Sequence, residues 1–176
     1  GLDQFDPAEI IKAFDYPKTP VITNEEPNTI QMYQWGLIPY WADMNWNRNY
    51  TLNARIETLD SKPSFKNITN NRCLIIVNGF YEWQQVNSSK IKYEIGFNNE
   101  LFTLAGLYDH FGDFRTYTVV TTEAQGIMRE IHNSKLRMPV ALLEKEEQEA
   151  WLHAAPVKPR FDFSTFPELY KQQSLF

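Results

Sequence analysis

The chain has 176 residues, a mass of 20.7 kDa and a formal net charge of −5. That length predicts one domain with a real hydrophobic core, and the aromatic content of 15% argues against an intrinsically disordered chain. The pI near 5.2 argues against a general nucleic-acid binder, and no apolar run approaches the ~20 residues of a membrane span.

The first predicted element is a helix, because Asp6 can cap it, Pro7 suits its first turn and Glu9 occupies the capping-box position. We expect this helix to reach Phe14. Strand-like patterns then follow at residues 21–23, 29–37, 72–77, 91–97, 101–108 and 115–121.

Turn and helix signals complete the outline. Residues 98–100 separate "KIKYEIGF" from "LFTLAGLY", which predicts a β-hairpin between those two runs. Helical spacing predicts a helix within "EAQGIMREIH", a second over 144–151 and a short third one over 168–172. These elements predict an α+β fold: a β-rich single domain with a curved, barrel-like mixed or antiparallel sheet and a few flanking helices.

Charge is distributed unevenly along the chain. Residues 1–47 carry two basic and seven acidic side chains, whereas residues 48–72 carry two acidic and five basic ones, namely Arg48, Arg55, Lys62, Lys66 and Arg72. The second segment is either a local basic stripe or an ordinary solvated face. The single cysteine, Cys73, lies in a strand-like run without a disulfide partner, which favours a reducing, cytoplasmic compartment.

Glu82 stands out in the stretch "NGFYEW", where one carboxylate lies among three aromatic residues. Desolvation by those rings would raise its pKa, and such a carboxyl suits a general acid or base near neutral pH. The alternative is a strand glutamate that points into solvent while its neighbours point inward. The pattern leaves both interpretations open.

Other candidate residues also have two interpretations. His132 lies at a change from helix to loop, where it either reaches a cleft or is structural, and His110 and His153 are expected on the surface. Asn53 and Arg55 share a face if they lie in a strand; otherwise Asn53 caps a short helix and Arg55 pairs with Glu57 or Asp60. Trp35 and Trp41 either stack on unpaired bases or belong to the core.

The common motifs of other enzyme classes are missing. The sequence contains no GxGxxG or GxxxxGK[ST] loop, no HExxH, no paired CxxC and no GxSxG. We therefore predict no cofactor and no metal ion.

Seven segments in a fixed order resemble the SOS response-associated peptidase (SRAP) family. They are "WGLIPYW", "NARIET", "KPSF", "RCLIIVNGFYEW", "LAGLYD", "TVVTTEA" and "IHNSKLRMPV", and the resemblance runs from about residue 20 to 152. Members of this family act on abasic sites in single-stranded DNA. Their nucleophile is a cysteine that becomes the N-terminus when the initiator methionine is removed. It attacks the ring-opened sugar aldehyde and forms a thiazolidine through a Schiff base.

The resemblance implies roles for particular residues. Asn53 would hold the N-terminal amine, Glu82 would exchange protons with the reacting amine, and His132 would act on the sugar ring oxygen. Contacts to DNA are expected from Arg55, Arg137, Trp35, Trp41, Thr121, Thr122 and Lys66. The expected partner is single-stranded DNA with abasic sites. We expect a monomeric, cytoplasmic protein that does not bind membranes and that associates with the nucleoid when bound to DNA.

Two features depart from the family pattern. "NSKL" between His132 and Arg137 is longer than in many members, and no cysteine stands at the start of the chain, where Gly1 is found. We expect residues 1–176 to form one SRAP-like domain from which a native N-terminal segment is missing, with 156–176 as a C-terminal extension. The chain as written is then covalently inactive. The alternatives are a non-catalytic module that binds single-stranded DNA or a small ligand, and a peptidase.

Overall fold

The structure is a computed structural model that describes residues 10–167. Within this range the strands are β1 (Lys18–Thr23), β2 (Gln31–Trp35), β3 (Asn53–Arg55), β4 (Arg72–Val77), β5 (Phe80–Val86), β6 (Ser89–Gly96), β7 (Phe102–Phe111), β8 (Phe114–Glu123), β9 (Arg137–Pro139), β10 (Ala141–Leu142) and β11 (Ser164–Pro167). The α-helices in the same range are α1 (Met128–Ile131) and α2 (Lys145–Leu152).

Five of these strands close into a barrel. β2, β1, β4, β7 and β8 are neighbours in that order through antiparallel pairs, and a parallel pair between β8 and β2 closes the ring. Closure removes the exposed edges that an open sheet would present. The predicted β-rich fold with a curved, barrel-like mixed sheet and few helices is confirmed.

The remaining strands build one end of the molecule. β8 continues beyond the barrel, where it pairs with β3 on one edge and with β9 on the other. A separate three-stranded sheet has the order β11-β6-β5, and α1 packs on β5. This arrangement brings β3, β5, β8 and β9, which carry most of the predicted site residues, to the same part of the fold.

Two apolar clusters support this arrangement. One fills the barrel and includes Val21, Tyr117 and Met138, while the other lies outside it and includes Leu107 and Trp151 of α2. The indole Nε1 of Trp151 donates to two backbone carbonyl oxygens, those of Cys73 (3.1 Å) and Gly106 (3.3 Å), so the helix is hydrogen-bonded to the barrel wall.

The predicted hairpin around residues 98–100 is wrong. Asn98 and Asn99 do form a turn with positive φ, but β6 pairs with β5 and β11, whereas β7 pairs with β4, β8 and β10. The turn therefore carries the chain from one sheet to the other. Among the described residues, the consecutive strands that form antiparallel hairpins are β1 with β2, β5 with β6 and β7 with β8.

The helix predictions had mixed outcomes. The helix over 144–151 is confirmed as α2, and "EAQGIMREIH" contains only the single turn of α1. Residues 6–9 of the first predicted helix lie outside the described residues, while residues 10–12 are not helical and Ala13–Asp15 is a 3-10 turn. The helix predicted over 168–172 lies outside the described residues. Across residues 10–167, no helix has the length and apolarity needed to cross a membrane.

Candidate functional site

The centre of the candidate site is a carboxylate–imidazole pair. Glu82 lies in the middle of β5 and His132 follows α1, and the Oε1 of Glu82 is 3.5 Å from the Nδ1 of His132. Their side chains are 23% and 15% exposed, so solvent screens their interaction only partly. The structure therefore brings together two of the three residues predicted to be catalytic.

Glu82 is desolvated, although not by all of the rings the sequence suggested. Successive side chains of a strand alternate, so Tyr81 and Trp83 point away from Glu82, and Trp83 is 46% exposed. Tyr93, opposite Glu82 on β6, and Phe80 lie against the barrel core on the Glu82 side. Burial raises the pKa of the Glu82 carboxyl above its ordinary value. The positive charges that His132 and Lys135 can carry oppose that rise.

The hydrogen bonding of His132 shows which of its ring nitrogens can exchange a proton with a bound molecule. The Nδ1 atom is 2.8 Å from the backbone oxygen of Arg137. Because a carbonyl oxygen only accepts, the proton of the neutral imidazole belongs on Nδ1 and the lone pair on Nε2. His132 can thus accept or return a proton at Nε2.

An ion pair organises the neighbouring surface. Arg137 donates from Nη1 and Nη2 to the two carboxylate oxygens of Glu57 at 3.1 and 2.8 Å. Glu57 also accepts hydrogen bonds from the Thr122 hydroxyl and the Glu123 amide, both at 3.1 Å. Partial burial would raise the pKa of Glu57, but hydrogen bonds from Arg137, from the backbone of residue 57 and from Thr122, together with the charge of Arg137, outweigh it and lower the pKa to about 2. Arg137 is therefore already paired within the protein.

Thr121 connects the ion pair to β3. Its hydroxyl accepts a hydrogen bond from Arg137 at 3.2 Å, and its backbone oxygen accepts another at 2.9 Å. Arg55 of β3 lies opposite Thr121, and Asn53 lies opposite Val119. Since residues opposite each other in register share a face, Asn53 and Arg55 lie on the Thr121 side of the sheet, and both are exposed.

These positions decide two alternatives that the sequence left open. Asn53 lies in a strand and does not cap the 3-10 turn Ile56–Thr58, whose N-cap is Arg55. Glu57 pairs with Arg137 and not with Arg55. Within residues 10–167, no hydrogen bond joins the side chain of Asn53 to Glu82 or His132, so the third residue predicted to be catalytic is not bonded to the central pair.

The two tryptophans have different environments. Trp35 is half-buried, stacks on Tyr117 at 6.3 Å between ring centroids, and donates from Nε1 to the backbone oxygen of Leu52 at 2.9 Å. It thus braces the residue that precedes Asn53. Trp41 is 46% exposed and packs edge-on against Trp46 at 5.0 Å.

The proposed basic stripe over 48–72 is only partly present. Arg48 donates to the backbone oxygens of Gly36 and Trp35, and Arg72 donates to that of Trp151, so both arginines are structural. The exposed cations of the segment are Arg55, Lys62 and Lys66. Lys66 belongs to the loop that accepts the Trp41 indole hydrogen bond at the Pro63 oxygen, and no hydrogen bond in the described residues joins it to the central pair.

Cys73 is fully buried in β4, and burial raises the pKa of its thiol. Such a thiol is not a nucleophile. His110 and His153 are exposed as predicted. In the part of the chain that the structure describes, no cluster of histidine, cysteine and acidic residues could hold a metal ion.

Sequence reasoning missed three residues that organise the site. It considered Glu57 only as a partner of Arg55, and it did not consider Asn133 or Gln84, which hydrogen-bond across the gap between β5 and α1. The only sequence signal was the unusual segment "NSKL", in which Asn133 is the first residue.

The fold and the segments that carry Glu82 and His132 define one class of protein. The chain belongs to the SOS response associated peptidase (SRAP) family, whose model matches residues 9–173. The predicted family membership is confirmed.

Several relatives support this assignment. The chain is 32% identical over 178 residues to abasic site processing protein YoaM of Bacillus subtilis (strain 168), covering 91% of this chain and 77% of the relative. It is 36% identical over 149 residues to abasic site processing protein YoqW of the same organism, covering 80% and 65%. Abasic site processing protein HMCES of Gallus gallus is 32% identical over 157 residues, covering 72% of this chain and 46% of the relative.

A solved structure has the same fold. The crystal structure of a Bacteroides thetaiotaomicron protein superimposes with a TM-score of 0.76 at 31% sequence identity, covering 89% of this chain and 76% of that one. The present chain thus spans about three quarters of that protein's length and just under two thirds of YoqW.

Proposed function

We propose that this protein takes part in the DNA damage response by recognising abasic sites in single-stranded DNA. The observation that carries the proposal is the half-buried pair of Glu82 and His132, 3.5 Å apart, in a chain of the SRAP family. The relatives named above are called abasic site processing proteins, which supports the same substrate here.

The pair has the properties that chemistry on an abasic sugar needs. The sugar exists as a closed ring and as an open aldehyde, and opening requires a proton on the ring oxygen and removal of one from the hydroxyl on C1. When its imidazole is protonated at Nε2, His132 can donate that proton to the ring oxygen. Burial raises the pKa of the Glu82 carboxyl, which favours its protonated form and makes it a better general acid than an exposed glutamate.

The covalent step belongs to a form of the protein that begins with cysteine. Its amine adds to the aldehyde carbon to give a carbinolamine, which loses water to give an imine. The thiolate then adds to the imine carbon while the nitrogen takes up a proton, so one water leaves overall and a thiazolidine ring closes. Glu82 protonates the departing hydroxyl, and Asn53, exposed at the edge of β3, orients the amine.

The surrounding surface suits a single strand. The exposed guanidinium of Arg55 is available for a phosphate, and Trp41 offers a ring on which a base can stack. Arg137 is paired with Glu57, so any phosphate it contacts has to compete with that carboxylate. An unpaired strand can bend so that its sugar reaches the pair, whereas a duplex holds the sugar in a stacked helix.

The 176-residue polypeptide itself is expected to form no thiazolidine. That ring needs an amine and a thiol on one residue, and the thiol of Cys73 is in the middle of a buried strand. A heat-stable adduct of this polypeptide with an abasic strand would contradict the expectation.

Binding measurements test the proposal. We expect the protein to bind an abasic single strand more tightly than the same strand without the lesion and than an abasic duplex. Glu82→Gln is expected to reduce this preference for the abasic strand, because glutamine lacks the ionisable carboxyl that the proposal places against the sugar. Glu100→Gln is the matched control, since it removes one charge from the exposed connection between β6 and β7. Equal or absent binding to all three DNAs would overturn the proposal, and selective binding that does not depend on Glu82 would identify a non-catalytic module.

A further inference from the structure

The contact between Glu82 and His132 needs an explanation, because no sheet pairing creates it. Glu82 belongs to the three-stranded sheet, while His132 lies between α1 and β9, and β9 pairs with β8 of the barrel. α1 is a single turn of four residues, too short to hold its own shape without packing. Some other interaction must set the distance between the two side chains.

Asn133 supplies that interaction. Its Oδ1 accepts a hydrogen bond from the Gln85 amide at 3.0 Å, and its Nδ2 donates to the Gln85 backbone oxygen at 2.9 Å. One side-chain amide thus satisfies both backbone groups of one residue, as a neighbouring strand would. β5 is the last strand in the order β11-β6-β5, so these backbone groups face its outer edge.

Gln84 makes another hydrogen bond, between β5 and α1, on the other side of His132. Its Nε2 donates to the backbone oxygen of Glu130 at 3.1 Å, which is one of the carbonyls left open at the end of α1. The hydroxyl of Tyr93 donates to the Gln84 Oε1 at 3.2 Å and fixes the orientation of its amide. Residues 130 and 133, on both sides of His132, are therefore bound to residues two and three positions beyond Glu82.

From this geometry we infer that Asn133 is a positioning residue, which holds His132 beside Glu82 by binding the backbone of Gln85. The segment 133–136, which lengthens the connection between His132 and Arg137, thus contributes to the site. The catalytic consequence of this role rests on the proposed function, but the positioning itself does not.

The charged groups around Glu82 determine what loss of Asn133 does. His132 and Lys135 face Glu82 from the α1–β9 connection, and Tyr93 lies opposite it on β6. The charge of Lys135, and that of His132 when its imidazole is protonated, lower the pKa of Glu82 against the effect of burial, and both residues belong to the segment that Asn133 anchors. Releasing the segment therefore removes positive charge from the carboxylate.

The experiment compares Asn133→Ala with Ser134→Ala, which changes the next residue of the same exposed segment and removes no hydrogen bond found in the described residues. Two NMR measurements are made on the DNA-free protein: exchange of the Gln85 amide proton and pH titration of the Glu82 carboxyl carbon. In Asn133→Ala we expect exchange to be about fivefold faster and the titration midpoint to move to higher pH. In Ser134→Ala both should match the wild type.

A Glu82 midpoint in Asn133→Ala equal to that of the wild type would overturn the inference, because a purely structural hydrogen bond would change only the amide exchange. Loss of the folded spectrum in Asn133→Ala would also overturn it, since the residue would then support the fold. If the wild-type protein does not bind abasic strands, the proposed function fails, whereas the two NMR measurements still decide the role of Asn133.

Discussion

Glu82 ionises at a cost, because burial raises its pKa above the ordinary value of 4.5. The folded protein therefore holds this proton to higher pH than the unfolded chain does. The stability that comes from this difference is fully present below pH ~4.5 and is lost as the pH rises through the folded value. The site thus gives up stability at neutral pH in order to hold a reactive carboxyl.

A stability measurement on Glu82→Gln tests this trade-off. Glutamine has nearly the same shape and cannot ionise, so we expect the variant to melt at a higher temperature than the wild type at pH 8. The difference should shrink as the pH falls toward 4, where the wild-type carboxyl is neutral too. Thermal melts across this pH range, with Glu100→Gln as the control, measure it. A variant that is less stable than the wild type at pH 8 would disprove the account of Glu82.

Glu57 has the opposite pH dependence, since the pKa of its carboxyl is lowered from 4.5 to about 2. Its contribution to the free energy of unfolding is present above pH ~4.5 and is lost as the pH falls to about 2. Because the side chain is 43% exposed, we expect Glu57→Gln to cost only about 0.5–1 kcal/mol at pH 7.

Urea denaturation at pH 7 and pH 3 measures this effect, and the loss should be smaller at pH 3. Glu123→Gln is the matched control. Its ion pair with Arg129 spans 3.9 Å between side chains that are 69% and 60% exposed, so it should cost nothing measurable. Equal losses for the two variants would show that the Glu57–Arg137 pair has no special role.

At the scale of elements, the hairpin of β5 and β6 carries Glu82, and its turn is set by Asn87. Val86 pairs with Ser89 across a two-residue turn, and Asn87 has a φ of 52°. Asparagine tolerates this left-handed conformation better than alanine does. We expect Asn87→Ala to destabilise the protein by about 1 kcal/mol and Asn87→Gly to be neutral or slightly stabilising. Denaturant titrations of both variants check the ranking, and alanine at least as stable as glycine would contradict the turn geometry.

The same hairpin shows which features of the fold could not be predicted from the sequence pattern. "NNE" at 98–100 is a genuine turn signal, because Asn98 and Asn99 have φ values of 51° and 65°. A local signal shows that the chain turns but not which strands then pair. The strand "FYEWQQV" was not predicted, since its outward face carries the aromatic Tyr81 and Trp83 and its inward face carries Glu82 and Gln84. This strand therefore lacks the apolar alternation that reveals a half-buried strand.

At the scale of the whole molecule, barrel closure depends on close contact between β4, β7 and β8. A Cβ on Gly106 would lie 2.7 Å from the Cys73 sulfur, 2.9 Å from Ile75 Cδ1 and 3.1 Å from the Thr118 oxygen. We expect Gly106→Ala to cost about 2–3 kcal/mol through overpacking. Adding Cys73→Ala should restore part of this loss, because it removes the nearest atom.

Gly112 provides the comparison for Gly106. Its φ is +57°, and a Cβ added there would meet no atom within 4 Å beyond its two chain neighbours, so Gly112→Ala should cost only the conformational ~1 kcal/mol. Adding Cys73→Ala to Gly112→Ala should restore no stability. Calorimetry of the single and double variants measures these differences, and a Gly106→Ala protein as stable as the wild type would show that the barrel wall is looser than described.

There is a physical reason why residue patterns alone did not predict the site. Composition and periodicity left Glu82 and His132 each with two interpretations, because these residues lie 50 positions apart and only the tertiary fold joins them. The resemblance of the ordered motifs to the SRAP family predicted that both residues belong to one site. They did not reveal that Glu57 pairs with Arg137 or that Asn133 binds Gln85, since such contacts depend on side-chain directions at the ends of β3, β5 and β9.

The most direct test of the central claim uses the three histidines as reporters. We would record the ring C–H signals of His110, His132 and His153 while adding a single-stranded oligonucleotide with one abasic site. His132 lies at the proposed site, whereas His110 is bonded to Tyr33 at the end of β7 and His153 follows α2. We predict that the signal of His132 shifts and that the other two do not. Shifts at His110 or His153 with an unchanged His132 would contradict the proposal that the Glu82–His132 pair receives the lesion.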